Sequence, residues 1–371
     1  MMLLRLLSQL DRDRFQPVVI SLMGSGTLGD RLTALDIPVQ TLNLTAGRPS
    51  LSSLRKLYRL SRQLAPDLIQ GWMYHGNFAA QLASRFAQCP VPVLWNIRQS
   101  LYSLKYEKSS TAALIRLEAW LSRFPTRILY NSKTSAQHHE RLGYQTERTQ
   151  VIANGFDTNQ FQPNPDAYRR YRQELKISPD TFLIGLVARW HPMKDHANFL
   201  QAAAHLIQQN PQLKVHFLLC GLGIDWQNSA LVSRIDALGL RSRFHLLGDR
   251  PDMPGIQAAL DLATSASFTE SFPNVLGEAM ACAVPCVATA VGDTPWLLGE
   301  TGWLVPPRDP VALAQAWSVA IAAGAAARQA RGHAARARVS EHFSLAAIAA
   351  QYASTYKMVV SDNQASMAER H

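Results

Sequence analysis

Short runs rich in branched and aromatic residues alternate along this chain with longer helical patterns. In the first part the runs are Pro17–Leu22, Pro38–Leu44, Asp67–Gln70, Pro92–Asn96 and Arg127–Tyr130. In the second they are Phe182–Val187, Lys214–Cys220, Arg243–Leu247, Leu262–Ser265, Val284–Ala288 and Trp303–Val305. Strands separated by helices pair in parallel, because a crossover helix returns the chain to the same end of the sheet. At 371 residues there is room for two such domains, each with its own core. Asn154-Gly155 reads as a turn, and Phe161 to Pro165 as a linker. The expected division is therefore 1–160, 161–345, and a last helix with its tail over 346–371. An Ala-rich helix is expected near Ala312–Ala330.

The most informative local stretch runs from Thr269 to Met280. Glu270 follows the run Leu262 to Phe268, where a buried strand ends. Glu278 lies eight positions on, about one turn inside a helix that starts near Pro273 or Asn274, with Pro273 in a favoured helix-start position. Both carboxylates can face one crevice at the C-terminal edge of a sheet, where open α/β folds bind ligands. The helix start offers N–H groups suited to phosphate. One carboxylate can reach the hydroxyls of a sugar and the other those of a ribose. The plain alternative is a solvated loop glutamate and a surface charge.

Composition narrows the function classes. The four cysteines, Cys89, Cys220, Cys282 and Cys286, lie in or beside apolar runs, which suits buried thiols in a reducing compartment better than a disulfide framework. Cys282 and Cys286 lack a second pair at metal-ligand spacing. No stretch reaches the roughly eighteen apolar residues of a membrane span. The opening Met1 to Leu10 reads as an amphipathic helix. Charge is uneven: residues 1–160 hold 19 Lys+Arg against 10 Asp+Glu, and residues 161–371 hold 18 against 17. Arg55, Lys56, Arg59 and Arg62 recur at helical spacing, with Lys105, Lys108 and Arg116 downstream. Such a face fits anionic lipid or simply a solvated helix. No interleaved aromatics or recognition motif point to nucleic acid. Asp11-Arg12-Asp13 spells a metal-binding D-x-D, but at a helix end, so no metal is expected.

Several ordered motifs carry a family resemblance. The run from Glu270 to Ala281, then Val284-Pro285, Val291-Gly292-Asp293, and Thr301 to Pro307, resembles the family-four nucleotide-sugar glycosyltransferases. These are retaining GT-B enzymes with an E-x7-E motif. Val151 to Asp157 with Phe161-Gln162-Pro163 is similar to the family's interdomain signature. Arg189 and Lys194 look like its phosphate-binding basic pair. The resemblance covers about residues 126 to 345 by motif and the N-terminal part in general pattern. It implies two doubly wound Rossmann-like domains facing across a cleft. The last helix, near Phe343 to Val360, would return to the first domain.

The resemblance also implies roles. Glu270 contacts the donor sugar and steadies positive charge at the anomeric carbon, a charge problem shared with glycosidases. Glu278 accepts the ribose hydroxyls. Arg189 and Lys194 neutralise the departing diphosphate, work done by Mg²⁺ in other transferases. The amides of Ser271, Phe272, Asn274, Val275 and Leu276 supplement them. Gly221 and Gly223 let backbone approach the nucleotide, and Arg250 borders the base. His75, after Trp72-Met73-Tyr74, is an acceptor-side candidate. Arg98 stands where many members carry a histidine, and it suits an acceptor phosphate rather than a proton. Ala283 replaces a usual glycine, acceptable if its φ is negative.

The chain also starts, at Met1-Met2-Leu3-Leu4, inside the first expected helix. The preceding strand and glycine loop are missing from the pattern, and Gly24-Ser25-Gly26 follows a later strand. A start codon placed too far downstream is favoured over a natural variant with weakened activity. The expected activity is retaining, metal-independent transfer from a nucleotide-diphosphate sugar, a UDP-sugar first, with no further cofactor. The expected acceptor is a cell-surface polysaccharide or lipid-linked glycan. The expected place is the cytoplasm or the inner face of its membrane. Two other readings stay open: a nucleotide-sugar-binding or scaffolding subunit, and a GT-B epimerase.

Overall fold

The computed structural model describes residues 2–45, 50–88, 90–101, 103–104 and 107–369. Cys89 and Lys105 lie outside these residues. The chain forms two compact units, one of residues Met1–Gly155 with Leu345–His371, the other of Phe156–Ser344.

The first unit runs α1 (Met2–Leu7), β1 (Val19–Ser21), α2 (Gly26–Thr33), β2 (Val39–Thr41), α3 (Leu51–Leu64), β3 (Ile69–Trp72), α4 (Met73–Phe86), β4 (Val93–Ile97), α5 (Ser109–Leu121), β5 (Arg127–Tyr130), α6 (Lys133–Glu140) and β6 (Thr149–Val151). The second runs α7 (Pro165–Glu174), β7 (Phe182–Val187), α8 (His196–Gln209), β8 (Val215–Cys220), α9 (Ser229–Ala237), β9 (Phe244–Leu246), α10 (Met253–Ala258), β10 (Leu262–Ser265), α11 (Asn274–Ala281), β11 (Cys286–Thr289), α12 (Thr294–Leu298), β12 (Trp303–Val305), α13 (Pro310–Ala322) and α14 (Gly324–His342). The closing α15 (Leu345–Ala368) belongs to the first unit.

All pairings between these strands are parallel. In the second unit six strands stand in the order β12-β11-β10-β7-β8-β9. The chain thus starts in the middle at β7, winds outward to β9, and returns to wind the other way from β10. The reversal falls between β7 and β10, which are hydrogen-bonded neighbours. Every residue of β7 is buried, as expected of a central parallel strand covered by helices on both faces. Phe199, Phe217, Phe244 and Trp317 pack edge-on and stacked in the core on one of these faces. Each such ring contributes roughly 1.5–3 kcal/mol by leaving water.

The first unit is divided. β1 and β2 form a two-stranded sheet, and β3-β4-β5-β6 a four-stranded one. α15 is held by polar ties: Asn96 Nδ2 donates to Tyr352 OH (2.8 Å), Gln150 Nε2 to Thr355 Oγ1 (2.9 Å), and Tyr356 OH to Gln70 Oε1 (2.5 Å).

Three local expectations change. The Ala-rich segment is two helices, α13 and α14, broken where Gly324 adopts φ +80°. Asn154-Gly155 makes no turn; it runs against α15, where a side chain at 155 would meet Leu345 Cα at 2.9 Å. β6 falls where the sequence pattern shows no strand.

Candidate active site

The crevice at the β7/β10 reversal is where a doubly wound sheet binds ligands. Two loops meet there because their strands are neighbours. The loop after β7 carries Arg189 to Asp195, and the loop after β10 carries Ser267 to Pro273. Phe268 N donates to Met193 O (3.1 Å), which binds the loops to each other. Lys194 Nζ then reaches Glu270 Oε1 at 2.5 Å, across 76 residues of sequence. Ser267 Oγ donates to the same oxygen at 2.7 Å. The Glu270 side chain is 12% exposed and that of Lys194 25%, so the pair sits at the wall of a crevice rather than in open water. The crevice is lined by the ends of both strands together with Lys194, Ser267 and Val275.

The glutamate loop is fixed from below. Phe272 is buried, stacked on Phe156 (6.1 Å between centroids), edge-on to Trp296 and tilted against Phe343. From above, Gly292 lies on it: a Cβ there would stand 2.2 Å from Glu270 O, and its φ is +55°. Asp293 N donates to Ser271 O (3.0 Å). α11 begins at Asn274, and Pro273 before it makes no side-chain cap. Among the amides expected to receive phosphate, that of Leu276 already donates to Pro273 O (3.2 Å). Glu278 is half-buried one turn into α11.

The basic loop is equally specific. Asp195 caps α8, accepting from Asn198 N (3.2 Å) with its own φ at +47°. Burial, with the Lys194 charge nearby, pushes the His196 imidazole down to about 4. Burial and the Arg189 and Lys194 charges also lower His191. Both histidines are neutral near pH 7, leaving Arg189 and Lys194 as the positive charges of the loop. Arg189 is exposed. Behind it, Gly221 takes φ +146°, and a Cβ there would lie 2.4 Å from Ala188 O. Gly223 sits similarly against Trp190, and Trp190 N donates to Leu222 O (2.8 Å). The glycine loop after β8 is thus laid directly on the arginine loop after β7.

Other predicted residues stand apart from this group. Arg250 donates to Glu174 Oε1 (2.7 Å) on α7 and to Leu247 O (3.3 Å), and both side chains of the ion pair are 41% exposed. His75 is exposed in the first turn of α4, which starts directly off β3 with Met73 at φ +62°. Arg98 is committed to its own unit. It donates to Asn96 Oδ1 (3.2 Å), Tyr352 OH (3.0 Å) and Asn154 Oδ1, and lies 5.3 Å over the Trp72 ring. It reads as a tie for α15 as much as a ligand for phosphate. Asp11 and Asp13 are exposed, with Asp11 Oδ1 accepting from Asp13 N (3.0 Å). Cys220, Cys282 and Cys286 are free, buried thiols, raised by burial to about 11, to about 12 and further still.

Sequence reading missed Ser267 and Gly292. Ser267 sits in Ser265-Ala266-Ser267, small residues at a strand end. Gly292 belongs to a quoted motif, but its task is visible only once the Glu270 backbone lies upon it.

Comparisons with known proteins agree with this geometry. The family described as Glycosyltransferase Family 4 matches residues 1–160, and that described as Glycosyl transferases group 1 matches residues 181–322. The chain is 34% identical over 169 residues to the D-inositol 3-phosphate glycosyltransferase of Corynebacterium jeikeium, covering 43% of this chain and 40% of that one. It is 23% identical over 271 residues to the UDP-Gal:alpha-D-GlcNAc-diphosphoundecaprenol alpha-1,3-galactosyltransferase of Escherichia coli, covering 71% and 68%. The matches thus span about two fifths of the length of the D-inositol 3-phosphate glycosyltransferases. Among solved structures, Anabaena HepE in complex with UDP superposes with a TM-score of 0.83 at 27% identity, covering 96% of this chain and 95% of that one. The HepE complex with UDP-glucose gives a TM-score of 0.79 at 26% identity, over the same shares.

Proposed function

We propose that this chain, which belongs to the family-four glycosyltransferases of GT-B architecture, moves a sugar from a nucleotide-diphosphate sugar to a glycan acceptor. The observation that carries this reading is the Lys194–Glu270 pair at the sheet reversal, beside the start of α11. An activated sugar has an anionic diphosphate and a leaving bond that builds positive charge on the sugar and negative charge on the phosphate. The paired cation and carboxylate match those two developing charges. Arg189 and the first amides of α11 add donors for the diphosphate.

Transfer with retention and without a metal ion is the finer statement. A carboxylate already held by Lys194 and Ser267 is arranged to balance charge on the sugar rather than to attack it. Two cationic side chains supply what a divalent ion supplies elsewhere. A uridine donor is favoured because HepE, a structural neighbour, has been solved with UDP and with UDP-glucose. A lipid-linked glycan or growing polysaccharide is the favoured acceptor, since one relative is named for a diphosphoundecaprenol substrate. A peripheral position at the membrane belongs to the same reading. Among the described residues no single helix is long and apolar enough to cross a membrane.

The test is turnover of UDP-sugars in EDTA, with the anomeric configuration of the product assigned by NMR. The wild type is compared with Glu270→Ala and Lys194→Ala. Loss in both variants supports the site; unchanged turnover in both overturns it.

A further inference from the structure

We infer that the outer face of α3, α4 and α5 is a docking surface for an anionic phospholipid bilayer. This deepens the lipid-linked acceptor reading by naming where the protein meets the membrane. α3 packs on α4 and α4 on α5 within one unit. Together with the residues just after α5 they expose Arg55, Arg59, Arg62, Arg85, Arg116 and Arg123. The three helices contain one acidic residue, Glu118, and it is fully buried. The face is therefore cationic without opposing charge.

It is also apolar in a way that solvation does not explain. Trp120 is 59% exposed and Leu51 75%, with Tyr58, Leu117 and Phe124 also exposed. The rings and the arginines interleave. Arg123 lies 4.1 Å over Trp120 and 5.2 Å over Phe124, Arg85 lies 5.6 Å over Phe124, and Arg62 lies 5.7 Å over Tyr58. Tyr58 in turn meets Phe86 edge-on at 5.5 Å, which joins α3 to α4. Tryptophan and tyrosine rings favour the headgroup level of a bilayer, and arginines there gain from anionic lipid. Nucleic acid would account for the arginines and rings but not for exposed Leu51 and Leu117, which offer a base or phosphate nothing. The sequence alone hid this arrangement, because the aromatics come from three different segments.

The test is co-sedimentation with vesicles of phosphatidylcholine, with and without phosphatidylglycerol. Two variants are compared with the wild type: Arg55→Glu/Arg59→Glu/Arg62→Glu and Trp120→Ser/Phe124→Ser. UDP-sugar hydrolysis and thermal midpoint are measured alongside. The wild type is expected to bind only the anionic vesicles and to release in high salt. The charge reversal should lower partitioning by about a hundredfold or more, and the aromatic variant by about tenfold, with hydrolysis and midpoint unchanged. Wild type that ignores anionic vesicles, or variants that bind as it does, overturn the inference. So does a face that instead mediates self-association or RNA binding, seen as loss of either in these variants. Because the donor site lies wholly in residues 156–344, failure here leaves the hydrolysis result standing.

Discussion

Residues 156–344 and the remainder of the chain are both parallel α/β layers, yet they are built on different interiors. The first is continuous and the drier of the two: its six strands make one sheet around leucine, isoleucine, valine, alanine and aromatic side chains, though Arg172, Asn198 and Gln257 are also buried in it. The other is divided and wet. Its strands fall into two sheets, and Asn77, Asn96, Glu118 and His139 are fully buried among its rings. Tyr74 OH meets His139 Nε2 (2.9 Å), His139 Nδ1 meets Ser135 O (2.8 Å), and Tyr144 OH donates to Glu118 Oε2 (3.3 Å). A drier interior holds loops by shape, and apart from the buried Arg172–Asp261 pair its charges at Arg189, Lys194 and Glu270 stand at the rim where chemistry can use them. A wetter interior spends most of its polar groups on one another, in pairings between residues far apart in sequence.

The largest expected effect tests whether the rim charges of the dry unit are used. Lys194→Ala and Glu270→Ala should each lower kcat/KM for sugar transfer by about 10²- to 10³-fold, with little change in urea midpoint. A Lys194→Ala loss confined to KM would mean that the cation only binds donor.

Next comes the floor beneath that rim. A Cβ at position 277 would stand 2.0 Å from Phe156 Cζ, and Phe156 is 1% exposed and stacked on Phe272. Gly277→Ala must therefore move a rigid ring that supports the glutamate loop. The expected cost is about 2–3 kcal/mol in urea unfolding, with reduced transfer. A variant as stable as wild type would show that the floor gives, and that dry packing is not what fixes Glu270.

The wet unit is tested by pH. Burial pushes the Glu118 carboxyl up to about 9 from 4.5, so it is protonated in the folded protein near neutrality. A raised acid contributes stability that is full below its unfolded value and is lost as pH rises toward the folded one. Wild type should therefore weaken between about pH 5 and about pH 9. Glu118→Gln removes that slope, and should exceed wild type by on the order of 2 kcal/mol near the upper end. A difference independent of pH would mean the carboxyl is not kept neutral by its surroundings.

The same contrast explains what was legible in the sequence. β5, β7, β10 and β12 were readable to the residue, because apolar runs between helical patterns leave little choice. β6 was not, being three residues with a polar centre. The places of Glu270 and Glu278 in the fold were legible because their spacing is local, after a strand end and one turn into a helix. That Lys194 would bond Glu270 directly follows only from β7 and β10 being neighbours. Arg98 was the least legible residue: its partners Tyr352 and Asn154 lie 254 and 56 positions away, and nothing in the surrounding residues announces them.

The smallest effect concerns a position where the dry unit is itself strained. Ala283 stands where the family resemblance implies glycine, and the expectation that a negative φ would accommodate it fails: its φ is +58°. A left-handed alanine brings its Cβ against the backbone, at a cost of about 1 kcal/mol. The residue cannot relax by shifting, because Ala283 N donates to Met280 O (2.9 Å) and Val284 N to Ala279 O (3.0 Å), closing α11 just before β11. Ala283→Gly keeps those bonds and removes the strain. Glycine also frees the unfolded chain, which offsets part of the gain. The net expectation is a stabilisation of about 0.5–1 kcal/mol, read as a higher urea midpoint at unchanged slope. Destabilisation instead would mean that the Ala283 methyl group packs well enough to outweigh its backbone, and that even this strained corner of the dry unit is held by shape.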